Sequence, residues 1–90
     1  MKRSDYLICY DISNPKRLRK IAKLLEQECI RIQYSIFLAK KATKEEIYAI
    51  ADKLTELIDP DEDDVRIYKI KDHGIYMGVA YDLKEIFLIR

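Results

Sequence analysis

Five consecutive apolar or aromatic residues, Tyr6-Leu7-Ile8-Cys9-Tyr10, occupy the middle of residues 5–12. A run without a polar break reads as a strand covered on both faces, as at the centre of a sheet. Period two divides its side chains: Leu7, Cys9 and Asp11 on one face, Tyr6, Ile8 and Tyr10 on the other. Ser13-Asn14-Pro15 then marks a helix start, with Asn14 able to cap and Pro15 suited to the first helical position. Leu18, Ile21, Ala22, Leu25 and Cys29 follow at helical spacing and form one apolar stripe. Over residues 30–40 the period changes. This stretch is β-rich, alternates through Ile30, Ile32 and Tyr34, and then becomes continuously apolar. It is long for one strand, so a bend near residues 33–35 would divide it, although neither Gly nor Asn marks a turn there.

Thr43-Lys44-Glu45-Glu46 has the form of a capping box. Ile47, Ile50, Ala51, Leu54, Leu57 and Ile58 make the second amphipathic helix, which Asp59-Pro60 ends. Residues 59–64 hold five acids in six. Calcium would need alternating ligands around a central glycine, which is missing, so a solvated acidic loop is expected. Residues 65–71 alternate as a strand, a hairpin-like stretch with Gly74 and Gly78 follows, and residues 85–89 form a short apolar strand. The order β-α-β-β-α-β is the split arrangement of an α+β, ferredoxin-like sandwich, two helices on one face of an antiparallel sheet, here with an additional C-terminal strand. The 90 residues make a single domain, with the core at about residues 5–71. Strands this apolar need a cover on the second sheet face, and a second copy of the chain is the simplest one. The strand at 85–89 has no place in a four-stranded core and is expected in the dimer interface.

Charge changes the picture of partners. The net charge is +1, but residues 1–41 carry ten Lys/Arg against four Asp/Glu, and residues 42–90 seven against twelve. A basic first half can meet phosphates while the acidic half faces elsewhere. The two cysteines, Cys9 and Cys29, lie far apart in apolar patterns without metal-ligand spacing, and read as buried thiols. No signal-peptide pattern and no membrane-length apolar run occurs, so a cytoplasmic location with no membrane is expected.

Asp11 is the outstanding polar residue. A carboxylate closing an apolar strand is costly unless paired, hydrogen-bonded or bound to metal. Two copies across a two-fold axis could share one hard cation such as Mg²⁺; equally, an Asp just before a helix can act as an N-terminal charge. Both readings stay open on the residues alone. Arg31 could grip a phosphate or form a surface ion pair. Ser35 could donate to a phosphate, but no base adjoins it, so it does not read as a nucleophile. Phe37 could stack on a base or pack in the core. His73, the single histidine, reads as an exposed turn residue. Lys16, Arg17, Arg19, Lys20 and Lys23 are the candidates for a phosphate track, or else a solvated helix face. P-loop, dinucleotide, zinc and catalytic-triad motifs are all missing.

Four segments together resemble one family. Tyr6-Leu7-Ile8-Cys9-Tyr10-Asp11-Ile12 resembles the opening strand of the second core CRISPR-associated (Cas) family, the small adaptation protein often labelled an endoribonuclease. Residues 16–25, Lys-Arg-Leu-Arg-Lys-Ile-Ala-Lys-Leu-Leu, resemble its first helix. Arg31-Ile32-Gln33-Tyr34-Ser35-Ile36-Phe37 is similar to its most distinctive segment, and Asp63-Asp64-Val65-Arg66-Ile67-Tyr68-Lys69-Ile70 to its fourth strand. The resemblance implies a ferredoxin-like homodimer with facing sheets and Mg²⁺ shared between the two Asp11 side chains. It implies a functional set of Asp11, Tyr10, Arg31, Phe37 and Ser35, with Arg17 and Arg19 as further candidates. It implies a part in antiviral defence and spacer acquisition, by metal-dependent endonuclease action on RNA or DNA. The alternative is a non-catalytic dimer that bridges the CRISPR integrase and holds double-stranded DNA. A toxin-like ribonuclease of the same fold and a pure interaction domain without nucleic acid are the remaining readings.

Overall fold

In the computed structural model, which describes residues 2–72, 74, 75, 77 and 78, the chain runs β1 (Ser4–Asp11), α1 (Pro15–Glu28), β2 (Ile30–Gln33), β3 (Ile36–Ala42), α2 (Lys44–Leu57) and β4 (Asp64–Ile70). The strands form one antiparallel sheet in the order β2-β3-β1-β4. This is the α+β, ferredoxin-like arrangement expected from the pattern. His73 and the strand expected at 85–89 lie outside the described residues. The long β-rich run does divide: Tyr34 and Ser35 form the turn between β2 and β3. Tyr10 N–H donates to the Ser35 carbonyl at 3.1 Å, which ties the turn to β1. A turn of this kind needs no glycine when its residues keep negative φ.

Both helix starts form as the sequence indicates. The Asn14 side chain accepts from the N–H groups of Lys16 and Arg17 at 2.9 and 3.0 Å. Thr43 Oγ1 accepts from Glu46 N–H at 3.1 Å, and Glu46 Oε1 accepts from Thr43 N–H at 2.8 Å. The Thr43 N–H bond is the main reason the Glu46 carboxyl lies below its ordinary value. Thr43 is buried, so no water replaces its hydroxyl. Thr43→Ala is expected to cost about 1–2 kcal/mol, read as a lower urea midpoint at unchanged slope.

The helices cover one sheet face. Ile8, Tyr10, Phe37 and Ala39 from the sheet pack with Ile21, Leu25, Ile47, Ile50 and Leu54 from the helices. Just before α2, β3 carries a bulge: Ser4 faces Ala42, but Tyr6 faces Ala39. Lys41 takes φ +50° there. Asp5 accepts the Lys41 N–H at 2.8 Å and Arg3 donates to its carbonyl at 2.9 Å, so both strained peptide groups are satisfied.

Two expectations change. Residues 59–64 are not a uniformly solvated acidic loop, because the Asp63 side chain is fully buried. It accepts from Arg17 Nε at 2.8 Å, Arg17 Nη2 at 3.2 Å, Ser13 N–H at 3.2 Å and Asp59 N–H at 2.8 Å. These bonds, with the Arg17 guanidinium foremost, hold the Asp63 carboxyl far below the usual carboxylate range. Nor are both cysteines buried thiols. Ile8 and Tyr10 are buried on the helix side, whereas Leu7 and Cys9 on the second face are only half-buried. Cys29 is the buried thiol, pushed up to about 11 by burial.

Candidate metal and nucleic-acid sites

Strand alternation decides where the expected functional set can act, and it splits that set between the two faces of the sheet. Asp11 is exposed on the second face. Register places Asp64 directly across from it and Arg66 across from Cys9. Cys9, Asp11, Asp64 and Arg66, with Tyr10, line an open hollow of about 180 Å³. Like charges directly opposite are unfavourable in an antiparallel pair. Here Arg66 Nε reaches Asp64 at 3.4 Å and offsets part of that cost, an exposed and weak pair. Among the described residues no group of three or more metal-binding side chains converges. One chain therefore offers Asp11 and Asp64, hard oxygen donors open to water, which suit Mg²⁺ in kind but are few in number.

Tyr10, Arg31 and Phe37 gather on the helix side. The Tyr10 and Phe37 rings stack at 6.1 Å between centroids. The Arg31 guanidinium lies 4.8 Å over the Phe37 ring. Arg31 Nη1 donates to the Tyr34 carbonyl at 2.7 Å and Nη2 to Glu26 at 3.3 Å. Phe37 is fully buried: of its two expected roles the fold displays core packing, and its ring supports Arg31 from beneath. Tyr10 is buried as well, its hydroxyl 3.4 Å from the Tyr34 carbonyl. Burial raises the Tyr10 hydroxyl above its ordinary value, against the pull of nearby Arg31. Ser35 contributes its carbonyl to Tyr10 from the turn. Of the expected set, then, the chain brings Tyr10, Arg31 and Phe37 together and leaves Asp11 on the opposite face.

The basic helix also sorts itself. Lys16, Arg19, Lys20 and Lys23 follow the i, i+3, i+4, i+7 spacing of one helix face. Each is exposed, and none makes an ion pair among the described residues. Arg17 points away from them, to Asp63 and Glu62. Its charge is already matched, which sets it apart from the other candidates for the phosphate track. Sequence reasoning gave no separate role to Tyr34, Asp63 or Asp64. Tyr34 looked like an alternating strand position, and only the division of the strand puts it in a turn. Asp64 becomes a partner of Asp11 through the β1–β4 register, which no local pattern encodes.

Fold and site together define a small ferredoxin-like domain with an exposed strand-end aspartate on one sheet face and a basic helix on the other. The profile of the family "CRISPR associated protein Cas2" matches residues 4–77, and the chain belongs to that family. A "CRISPR-associated endoribonuclease Cas2 1" of Nitrosomonas europaea is 38% identical over 72 residues, covering 80% of this chain and 68% of that one. The crystal structure of Streptococcus pyogenes Cas2 at pH 6.5 superposes with a TM-score of 0.68 at 35% identity, covering 74% of this chain and 86% of that one. A chain of a partial Cas6-RT–Cas1–Cas2 complex does so with a TM-score of 0.69 at 26% identity, covering 90% and 85%.

Proposed function

We propose that this chain acts as a homodimeric, Mg²⁺-dependent endonuclease on RNA, with DNA as a second substrate, in CRISPR adaptation. The observation that carries the reading is the exposed Asp11 carboxylate on a sheet face that one chain leaves half-covered. Leu7, Cys9, Ile30, Ile36 and Ile70 are half-buried there, and Tyr68 is exposed. Burying such a face against a copy of itself removes apolar surface from water and brings the two Asp11 side chains toward one axis. Asp11, with Asp64 beside it, would hold the cation. Bound there, Mg²⁺ supplies Lewis-acid stabilisation of charge on a phosphodiester and a more acidic water. The endoribonuclease name of the Nitrosomonas relative supports the choice of RNA. A Mg²⁺ titration on RNA and DNA of matched sequence tests it. Cleavage that rises with Mg²⁺ and stops in EDTA is expected; no cleavage of either strand at any metal concentration counts against it.

A second reading has its own support in the likeness to a Cas1–Cas2 complex: a non-catalytic dimer that bridges the integrase and holds DNA. Both readings use the cation stripe on α1. Replacing Lys16, Lys20 or Lys23 with Ala should each weaken binding evenly across sequences and lower the slope of log affinity against log salt by about 1. Fluorescence anisotropy at several salt concentrations measures it, and unchanged slopes would remove α1 from the interface.

A further inference from the structure

Between α1 and the β2–β3 turn lies a cleft of about 160 Å³ lined by Tyr10, Leu18, Arg19, Ala22, Arg31 and Tyr34. We propose that this cleft holds one unpaired nucleobase of a single-stranded nucleic acid, with Tyr34 stacking on the base and Arg19 taking the adjoining phosphate. The proposal rests on the nucleic-acid reading above and adds the class of ligand: a strand with at least one base out of any duplex.

Four features carry it. First, Tyr34 is 76% exposed at the rim. A large ring left this open on a turn has an unused face, and stacking on a base is its strongest use with nucleic acid. Secondly, the turn that presents it is fixed: its carbonyl accepts from Arg31 at 2.7 Å and from the Tyr10 hydroxyl at 3.4 Å. The ring is thus offered from a held backbone, which lowers the cost of ordering on binding. Thirdly, Arg31, pinned between the Phe37 ring and the Glu26 carboxylate, lines the cleft and gives it a fixed cationic, hydrogen-bonding wall. Finally, Arg19 lies in the cleft wall and on the cation stripe with Lys16, Lys20 and Lys23, and carries no partner among the described residues. A backbone that follows the stripe passes the mouth of the cleft.

Size and lining limit the occupant. A cavity of roughly 150 Å³ takes a benzene ring, so this cleft has room for one base ring. Leu18 and Ala22 give it an apolar wall that a lone phosphate would not use.

The test compares two fluorescein-labelled strands of equal length and charge in EDTA, a short oligouridylate and its abasic counterpart. The full chain, Tyr34→Ala, Tyr34→Phe and Lys20→Ala are titrated by anisotropy. Tyr34 makes its hydrogen bonds through its backbone, so the side-chain change leaves them in place. The wild type is expected to prefer the oligouridylate. Tyr34→Ala should weaken that strand about tenfold and leave the abasic strand unchanged, while Tyr34→Phe keeps the preference. Lys20→Ala should weaken both strands alike. Equal binding of the two strands by the wild type, or equal weakening of both by Tyr34→Ala, overturns the cleft and leaves the phosphate track standing. Binding of neither strand overturns the single-strand RNA reading, and the cleft with it, and leaves the double-stranded DNA scaffold standing. Because the assay contains no metal, an inactive Asp11 site affects none of these outcomes.

Discussion

Asp11→Ala is expected to lower Mg²⁺-dependent cleavage by on the order of a thousandfold, the several kcal/mol that a bound cation contributes to a charged transition state. The fold should not notice the change. Asp11 is exposed at the end of β1, and its side chain makes no hydrogen bond or ion pair among the described residues. Removing it even relieves the like-charge pairing with Asp64, so the melting temperature should hold or rise slightly. Parallel cleavage assays on wild type and variant, each with a melting curve, separate lost chemistry from lost structure. A variant that cleaves as fast as wild type would remove Asp11 from the mechanism. The same variant also divides the two functional readings. If the dimer works only as a scaffold, Asp11→Ala should bind DNA as tightly as wild type, and neither protein should show cleavage that responds to Mg²⁺.

Local chemistry made much of this fold legible. Asn14-Pro15 and Thr43 with Glu46 marked helix starts because their caps are satisfied within a few residues of sequence. The division of the long β-rich run could be seen from its length, although the turn at Tyr34 and Ser35 uses no signature residue. Period two along β1 already separated Tyr10 from Asp11. Resemblance grouped them with Arg31 and Phe37 as one functional set, and the sheet shows that its members serve two surfaces. What stayed hidden depends on pairings across the sheet or between distant loops. Asp64 meets Asp11 only through strand register. Arg17 and Asp63 are 46 residues apart, and each looked like one more charge in a run of similar ones. Burial, not type, distinguishes Asp63 from the other acids of its loop.

That buried carboxylate carries the largest expected effect on folding. Asp63 joins three segments: the start of α1 through Arg17, the β1–α1 connection through Ser13, and the start of the α2–β4 connection through Asp59. Asp63→Ala removes the acceptor and leaves the N–H groups of Ser13 and Asp59 without it, next to a partly buried guanidinium. Breaking one side of a buried pair is far more damaging than the pair's net worth suggests. A drop of roughly ten degrees or more in melting temperature is expected for a chain of this size. Arg17→Ala should cost less, since the Asp63 carboxylate keeps its two backbone donors. The acid limb of the stability curve gives a second reading of the same site. The folded value of Asp63 lies below its unfolded value near 4. Its stabilising contribution is therefore complete above about pH 4, and is lost as the pH falls from there toward the depressed folded value. Urea titrations from pH 6 down to about 2 should show wild type losing stability steeply over the acid end of that range, with Asp63→Asn both less stable at neutral pH and flatter below pH 4. Parallel acid limbs for the two proteins would mean that Asp63 titrates alike folded and unfolded, and would remove it as the lock between α1 and the loop before β4.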